Sequence, residues 1–95
     1  MNVESITRDL LAYAANAFQT QQYPQAVMYL EEVVDACPDD WHSRICLGVS
    51  YLKAGRIAHA KRQFCYVAEQ CPNPRMRELA REELKMVMRG EQRAS

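Results

Sequence analysis

The stretch LGVSYLKAGRIAHAKRQFCYVAEQCP, residues 47–72, decides the fold. It holds two amphipathic segments parted at Gly55, and their small and large side chains alternate as two helices packed on each other require. Leu47-Gly48 leads to Tyr51, then to Ala60, Phe64 and finally Pro72. Small residues such as Gly48 and Ala60 let two helix backbones approach to about 8 or 9 Å. Tyr51 and Phe64 then fill the space beside the crossing, and Pro72 ends the second helix because its ring cannot continue one.

Working outward, a shift of 34 residues lays Ala26 on Ala60, Leu30 on Phe64, Val33 on Val67, Cys37 on Cys71 and Pro38 on Pro72, with Leu11 on Ile45 in the same frame. A unit of two antiparallel helices at this period cannot bury its apolar faces alone and must stack on a neighbour. The first copy is looser, with Leu10, Tyr13, Ala14 and Ala17 on its first helix, then Ala26, Leu30 and Pro38. The combined spacing resembles the tetratricopeptide repeat (TPR) over residues 7–40 and 41–74. Leu10 and Arg44 stand where that family usually has tryptophan, while Trp41, three residues before Arg44, reads as a packing residue at the start of its helix. The resemblance implies an all-α fold: two helix-turn-helix repeats plus a C-terminal capping helix, wound as a right-handed α-solenoid in a single domain spanning 1–95.

Local signals set the helix boundaries. The first helix is expected over 5–19. Pro24 suits the first turn of the second, where its missing N–H costs nothing, and Cys37-Pro38 closes it. Asp39 and Asp40 can cap the third helix ahead of Trp41, and Gly55 can end it in a left-handed conformation. A fourth helix follows over 57–70. After Pro72-Asn73-Pro74 a capping helix is expected over 75–89, stopped by Gly90, with 90–95 as a frayed tail.

Composition bounds the function. A chain of 95 residues with 48% apolar and 25% charged residues describes one ordinary globular domain. Nothing in it approaches the apolar length of a membrane span, so no membrane insertion is expected. Met1–Ser5 carries Glu4 where a secretory leader would be basic, which makes the cytoplasm the expected location. Zero net charge argues against nucleic acid. The charge is unevenly spread: residues 1–48 hold seven acids and two bases, residues 49–95 five acids and ten bases. Cys37, Cys46, Cys65 and Cys71 form no Cys-x-x-Cys pair and read as reduced thiols in small apolar spaces, so no metal site is expected. There is no glycine-rich phosphate loop. Glu31, Glu32, Asp35, Asp39 and Asp40 read as solvated surface, His42 and His59 as exposed or capping residues, and Met76, Met86 and Met88 as core or adaptable contacts. The chain is therefore expected to be no enzyme and to need no cofactor.

The resemblance implies that the first helix of each unit lines a concave groove. On the first helix, Leu10, Tyr13, Ala14 and Ala17 should be consumed by packing on the second, which leaves Leu11, Ala15 and Phe18 as another stripe. On the third helix, Leu47, Gly48 and Tyr51 face the partner helix and leave Ile45, Val49 and Leu52. A helix apolar on nearly all sides expects burial on nearly all sides. These six side chains with Met76 and Leu79 would expose on the order of 400 Å², the size at which a patch usually marks a partner. The fitting ligand is an amphipathic helix or an extended apolar segment of another protein. In size and build the chain is similar to the small TPR chaperones of bacterial type III secretion, which hold a needle or translocator subunit until export; that resemblance implies a cargo helix, with a co-chaperone or a second copy of the chain as further partners. TPR domains that grip acidic chaperone tails use lysines, arginines and asparagines on the inner face, whereas here that face offers mainly Leu11, Ala15, Ile45 and Val49, so that activity is not expected. The competing expectation is a scaffold or homodimeric assembly protein that uses its charged ends and convex face.

Overall fold

The computed structural model describes the backbone of residues 3–94 and the side chains of residues 5–91. Met1, Asn2 and Ser95, which belong to the leader and tail readings, lie outside the described residues. The described chain forms five α-helices: α1 (Val3–Gln19), α2 (Tyr23–Ala36), α3 (Trp41–Lys53), α4 (Ile57–Gln70) and α5 (Pro74–Ala94). Each packs on the next in sequence, and α3 also meets α5. Contacts pair Arg44 with Gln63, Gly48 with Phe64 and Tyr51 with His59, so α3 and α4 run antiparallel. Tyr13 against Tyr29 and Phe18 against Tyr23 give α1 and α2 the same relation. The result is a slab of 48 × 30 × 17 Å.

The 34-residue period is written into the backbone. Shifted by that amount, α2 falls on α4 from first residue to last, and the ends of α1 and α3 coincide. Both α1 and α3 close with the same pair of reversed hydrogen bonds. In one, the N–H of Gln21 donates to Phe18 O at 3.1 Å and that of Gln22 to Ala17 O at 2.7 Å; in the other, Gly55 donates to Leu52 O at 3.0 Å and Arg56 to Tyr51 O at 2.8 Å. The motif needs a left-handed residue. Gly55 supplies it at φ +82°, whereas Gln21 is forced to φ +61°. A side chain in that region costs about 1 kcal/mol or more, partly offset because glycine has more freedom to lose on folding. Gln21→Gly is therefore expected to stabilise the protein by about 0.5 to 1 kcal/mol, read as a rise of a few degrees in the thermal midpoint. A fall would mean that the glutamine side chain gives more to the native state than its backbone strain removes.

The other boundaries follow from caps. Asp40 accepts a hydrogen bond from Ser43 N at 3.1 Å and so starts α3. Pro24 sits in the first turn of α2. Asn73 caps α5 by accepting from Arg75 N at 2.9 Å, so Pro74 opens that helix instead of standing before it. Gly90 does not stop α5, which continues to Ala94. No atom crowds Gly90, its φ is not left-handed, and Glu91 is tied back to α4 by Lys61 at 2.9 Å. A mid-helix glycine costs about 1 kcal/mol, too little to break a helix anchored beyond it.

The core is built from repeat-related positions. Ala26, Ala60, Leu30, Phe64, Val33, Val67 and Cys71 are all buried. Gly48 lies so close to Phe64 that a Cβ there would sit 2.6 Å from the ring. The first unit solves the same crossing with the buried pair Ala14 and Leu30, one carbon more on one side and a smaller side chain on the other. Arg44, which stands where the tetratricopeptide pattern has tryptophan, donates to Pro38 O at 2.7 Å and to Gln63 at 3.1 Å, and lays its guanidinium 4.1 Å from the Tyr66 ring centroid. Trp41 stacks on that ring at 5.7 Å, so arginine and two aromatics fill the slot together.

Candidate partner-binding groove

Carried through all three odd-numbered helices, the 34-residue register gives rows of equivalent positions: Leu11, Ile45 and Leu79; Ala15, Val49 and Glu83; Phe18, Leu52 and Met86. The structure opens two clefts along these rows. The first, of about 240 Å³, lies between α1 and α3 over Leu30 of α2, and Leu11, Ala15 and Phe18 line it with His42 and Cys46. The second, of about 450 Å³, lies where the ends of α3 and α5 meet the start of α4; Leu52, Ile57, Met86 and Val87 line it with Glu83 and Glu91. The two share no lining residue, and α3 stands between them.

The expected surface residues divide accordingly. Leu11, Ala15 and Phe18 come together in the first cleft, and Leu52 reaches the second. Leu79 is 48% exposed on α5, while Met76 is half-buried against the core. Ile45 does not lie open. It is 7% exposed and belongs to the core, as its helix is covered by α2, α4 and α5, whereas Leu11, its counterpart on the end helix, is 37% exposed. Val49 is half-buried against the same core. The groove is therefore two pockets flanking α3, not one trough across it. Tyr13, expected to be consumed by packing on α2, is 58% exposed, with its ring 5.6 Å from that of Tyr29 on α2. Its counterpart Leu47 is sealed at 1%, because α3 is packed by α2, α4 and α5, whereas among the described helices α1 packs mainly on α2.

The clefts are also lined by residues outside the expected surface, among them His42 and Cys46 in the first and Ile57, Glu83, Met86, Val87 and Glu91 in the second. Of these, Glu83 and Met86 are legible in the sequence as one further step of the same register, from 15 and 49 to 83 and from 18 and 52 to 86.

His42 and Cys46 are four residues apart on α3, with Nδ1 and Sγ at 3.8 Å, a spacing that could serve a metal. No third ligand joins them: among the described residues no group of three or more His, Cys, Asp or Glu gathers in a metal-holding cluster. Burial, with Asp40 adding to it, pushes the Cys46 thiol up, so at neutral pH it is an uncharged thiol lining the first cleft. Away from the clefts, burial and then the negative charge of Glu31 raise the pKa of Tyr51. Arg56 and His59 cover the Tyr51 ring at 5.0 and 5.2 Å. The ion pairs Lys61–Glu91, Arg81–Glu78 and Lys85–Glu82 are exposed, and such pairs contribute about 1 kcal/mol at most. No described helix is long and apolar enough to cross a membrane.

No protein-family model, curated protein or solved structure matches the chain.

Proposed function

We propose that the protein is a two-unit tetratricopeptide-type domain, closed by α5, that holds an amphipathic helix or apolar segment of another polypeptide across its two clefts. One observation carries this reading: Leu11 and Phe18 in the first cleft, and Leu52 and Met86 in the second, place apolar side chains at open clefts, with Phe18, Leu52 and Met86 equivalent in the 34-residue register. Spaced on successive helices, they suit anchors that recur at helical intervals on a ligand. The coincident boundaries of α2 and α4, the twin closures at Gln21 and Gly55, and the Gly48–Phe64 contact support the repeat architecture. At positions 82 and 85, where α3 has Gly48 and Tyr51 to receive its partner helix, α5 has Glu82 paired with Lys85, which suits a helix that ends a stack. The neutral Cys46 thiol supports holding over catalysis. A narrower task within this reading is that of a cytoplasmic chaperone of the type III secretion kind, masking a subunit that would otherwise assemble early.

The test is affinity for a labelled amphipathic Leu-rich peptide at low and high salt. An apolar groove keeps its affinity as salt rises, whereas a scaffold working through its acidic and basic ends loses it steeply. Loss of binding at high salt would favour the scaffold.

A second reading has its own observation. Ile6 and Tyr13 of α1 and Met28 of α2 are large apolar side chains exposed on the first helix pair. A second copy of the chain covering them would make a dimer, and light scattering across a concentration series would report it as a rising mass that Tyr13→Asp returns to that of the monomer.

A further inference from the structure

One position breaks the apolar pattern of the groove. Where α1 has Ala15 and α3 has Val49, α5 has Glu83. A half-buried carboxylate beside Leu52, Ile57 and Met86 gives up hydration that apolar neighbours cannot replace. Among the described residues no lysine, arginine or histidine forms an ion pair with it; the ion pairs of α5 are Lys61–Glu91, Arg81–Glu78 and Lys85–Glu82. The second cleft holds two carboxylates, and the one on Glu91 is matched by Lys61 at 2.9 Å. One unmatched negative charge therefore stands inside an apolar pocket.

We propose that Glu83 selects the ligand: the occupant of the second cleft is a helix that sets an apolar anchor against Leu52 and Met86 and a lysine or arginine, one helical turn away, against Glu83. This rests on the groove reading and sharpens it from any amphipathic helix to one with a basic flank. Such a side chain restores to Glu83 the partner it lacks, and it places the pair where apolar walls exclude water and strengthen the attraction. An acidic ligand would meet like charge at the same point and be rejected, so a single residue supplies both the attraction and the repulsion that specificity needs.

Two peptides of about 18 residues, long enough to form helix, serve as probes. They share one leucine face, flanked by lysines in the first and by glutamates in the second. Wild-type protein is expected to bind the lysine peptide about tenfold more tightly, as a charge-assisted hydrogen bond would give. Glu83→Gln should remove that preference and Glu83→Lys reverse it. Glu32→Lys, which changes net charge equally at an exposed site on α2, should leave it intact. If the preference survives both Glu83 substitutions, or disappears in Glu32→Lys, selection by Glu83 is wrong and bulk charge accounts for it. Equal binding of the two peptides by wild-type protein would leave the groove standing and overturn the charge selection alone. Binding of neither would overturn the groove reading and this inference with it. Should Glu83→Lys fail to fold by circular dichroism, the near-isosteric Glu83→Gln decides.

Discussion

Gly48→Val is expected to lower stability by about 3 kcal/mol, which for a chain of this size moves the thermal midpoint down by about 12 to 24 °C. The reason is geometric. Any Cβ at position 48 would lie 2.6 Å from the ring of Phe64, and that ring is fully buried, so it cannot swing into solvent. Gly48→Ala sets two effects against each other. Alanine raises helix propensity by about 1 kcal/mol, but overpacking costs about 1 to 3 kcal/mol, so a net loss is expected. The first unit contains the compensating answer, because Ala14 and Leu30 occupy the same register positions and are both buried. Joining Gly48→Ala to Phe64→Leu rebuilds that pair in the second unit. The double variant should lose less than the sum of the single losses, with a coupling of about 1 to 2 kcal/mol, read from urea unfolding followed by circular dichroism. A Gly48→Ala protein as stable as wild type would mean that Phe64 relaxes more easily than its packing implies.

Phe18→Asp and Leu52→Asp are each expected to weaken binding of an apolar amphipathic peptide by at least about a hundredfold. Each removes an anchor wall worth about 1.5 to 3 kcal/mol of apolar burial and obliges the complex to cover a carboxylate without a partner. The two residues sample different clefts, so they also ask whether a ligand spans both. Both are only partly buried in the free protein, where the new carboxylate can reach water. Leu52→Asp still forfeits packing against the core, and Phe18→Asp forfeits its edge contact with Tyr23 at 5.5 Å. Matched far-ultraviolet spectra and melting curves must therefore accompany the titrations. Unchanged affinity in both variants, with the fold intact, would move the ligand away from these clefts. Ile45→Asp is no test of binding, because that side chain is sealed in the core and its replacement unfolds the protein.

The helices, their limits and their period are properties of neighbouring residues, and the sequence carries them openly. Pro24 and the Asp40 cap each act within one helical turn, and Gly55 closes α3 through bonds reaching back only to Tyr51 and Leu52. The exchange of Gly48 and Phe64 for Ala14 and Leu30 is legible for the same reason, since positions 34 residues apart can be laid on one another. What the sequence leaves open is which of two equivalent apolar stripes is covered. Leu11 and Ile45 share a register and a character, yet one lines a cleft and the other is core; Tyr13 and Leu47 diverge further still. Nothing within a helical turn of these residues differs enough to foretell it. The difference arises because α1 stands at the edge of the slab while α3 is packed by α2, α4 and α5. Gly90 follows the same logic, for a residue that ends an isolated helix is carried through when Lys61 holds the next turn in place. Periodicity is a local property of the chain, but burial is decided by what lies alongside, and only the stacking of the helices determines that.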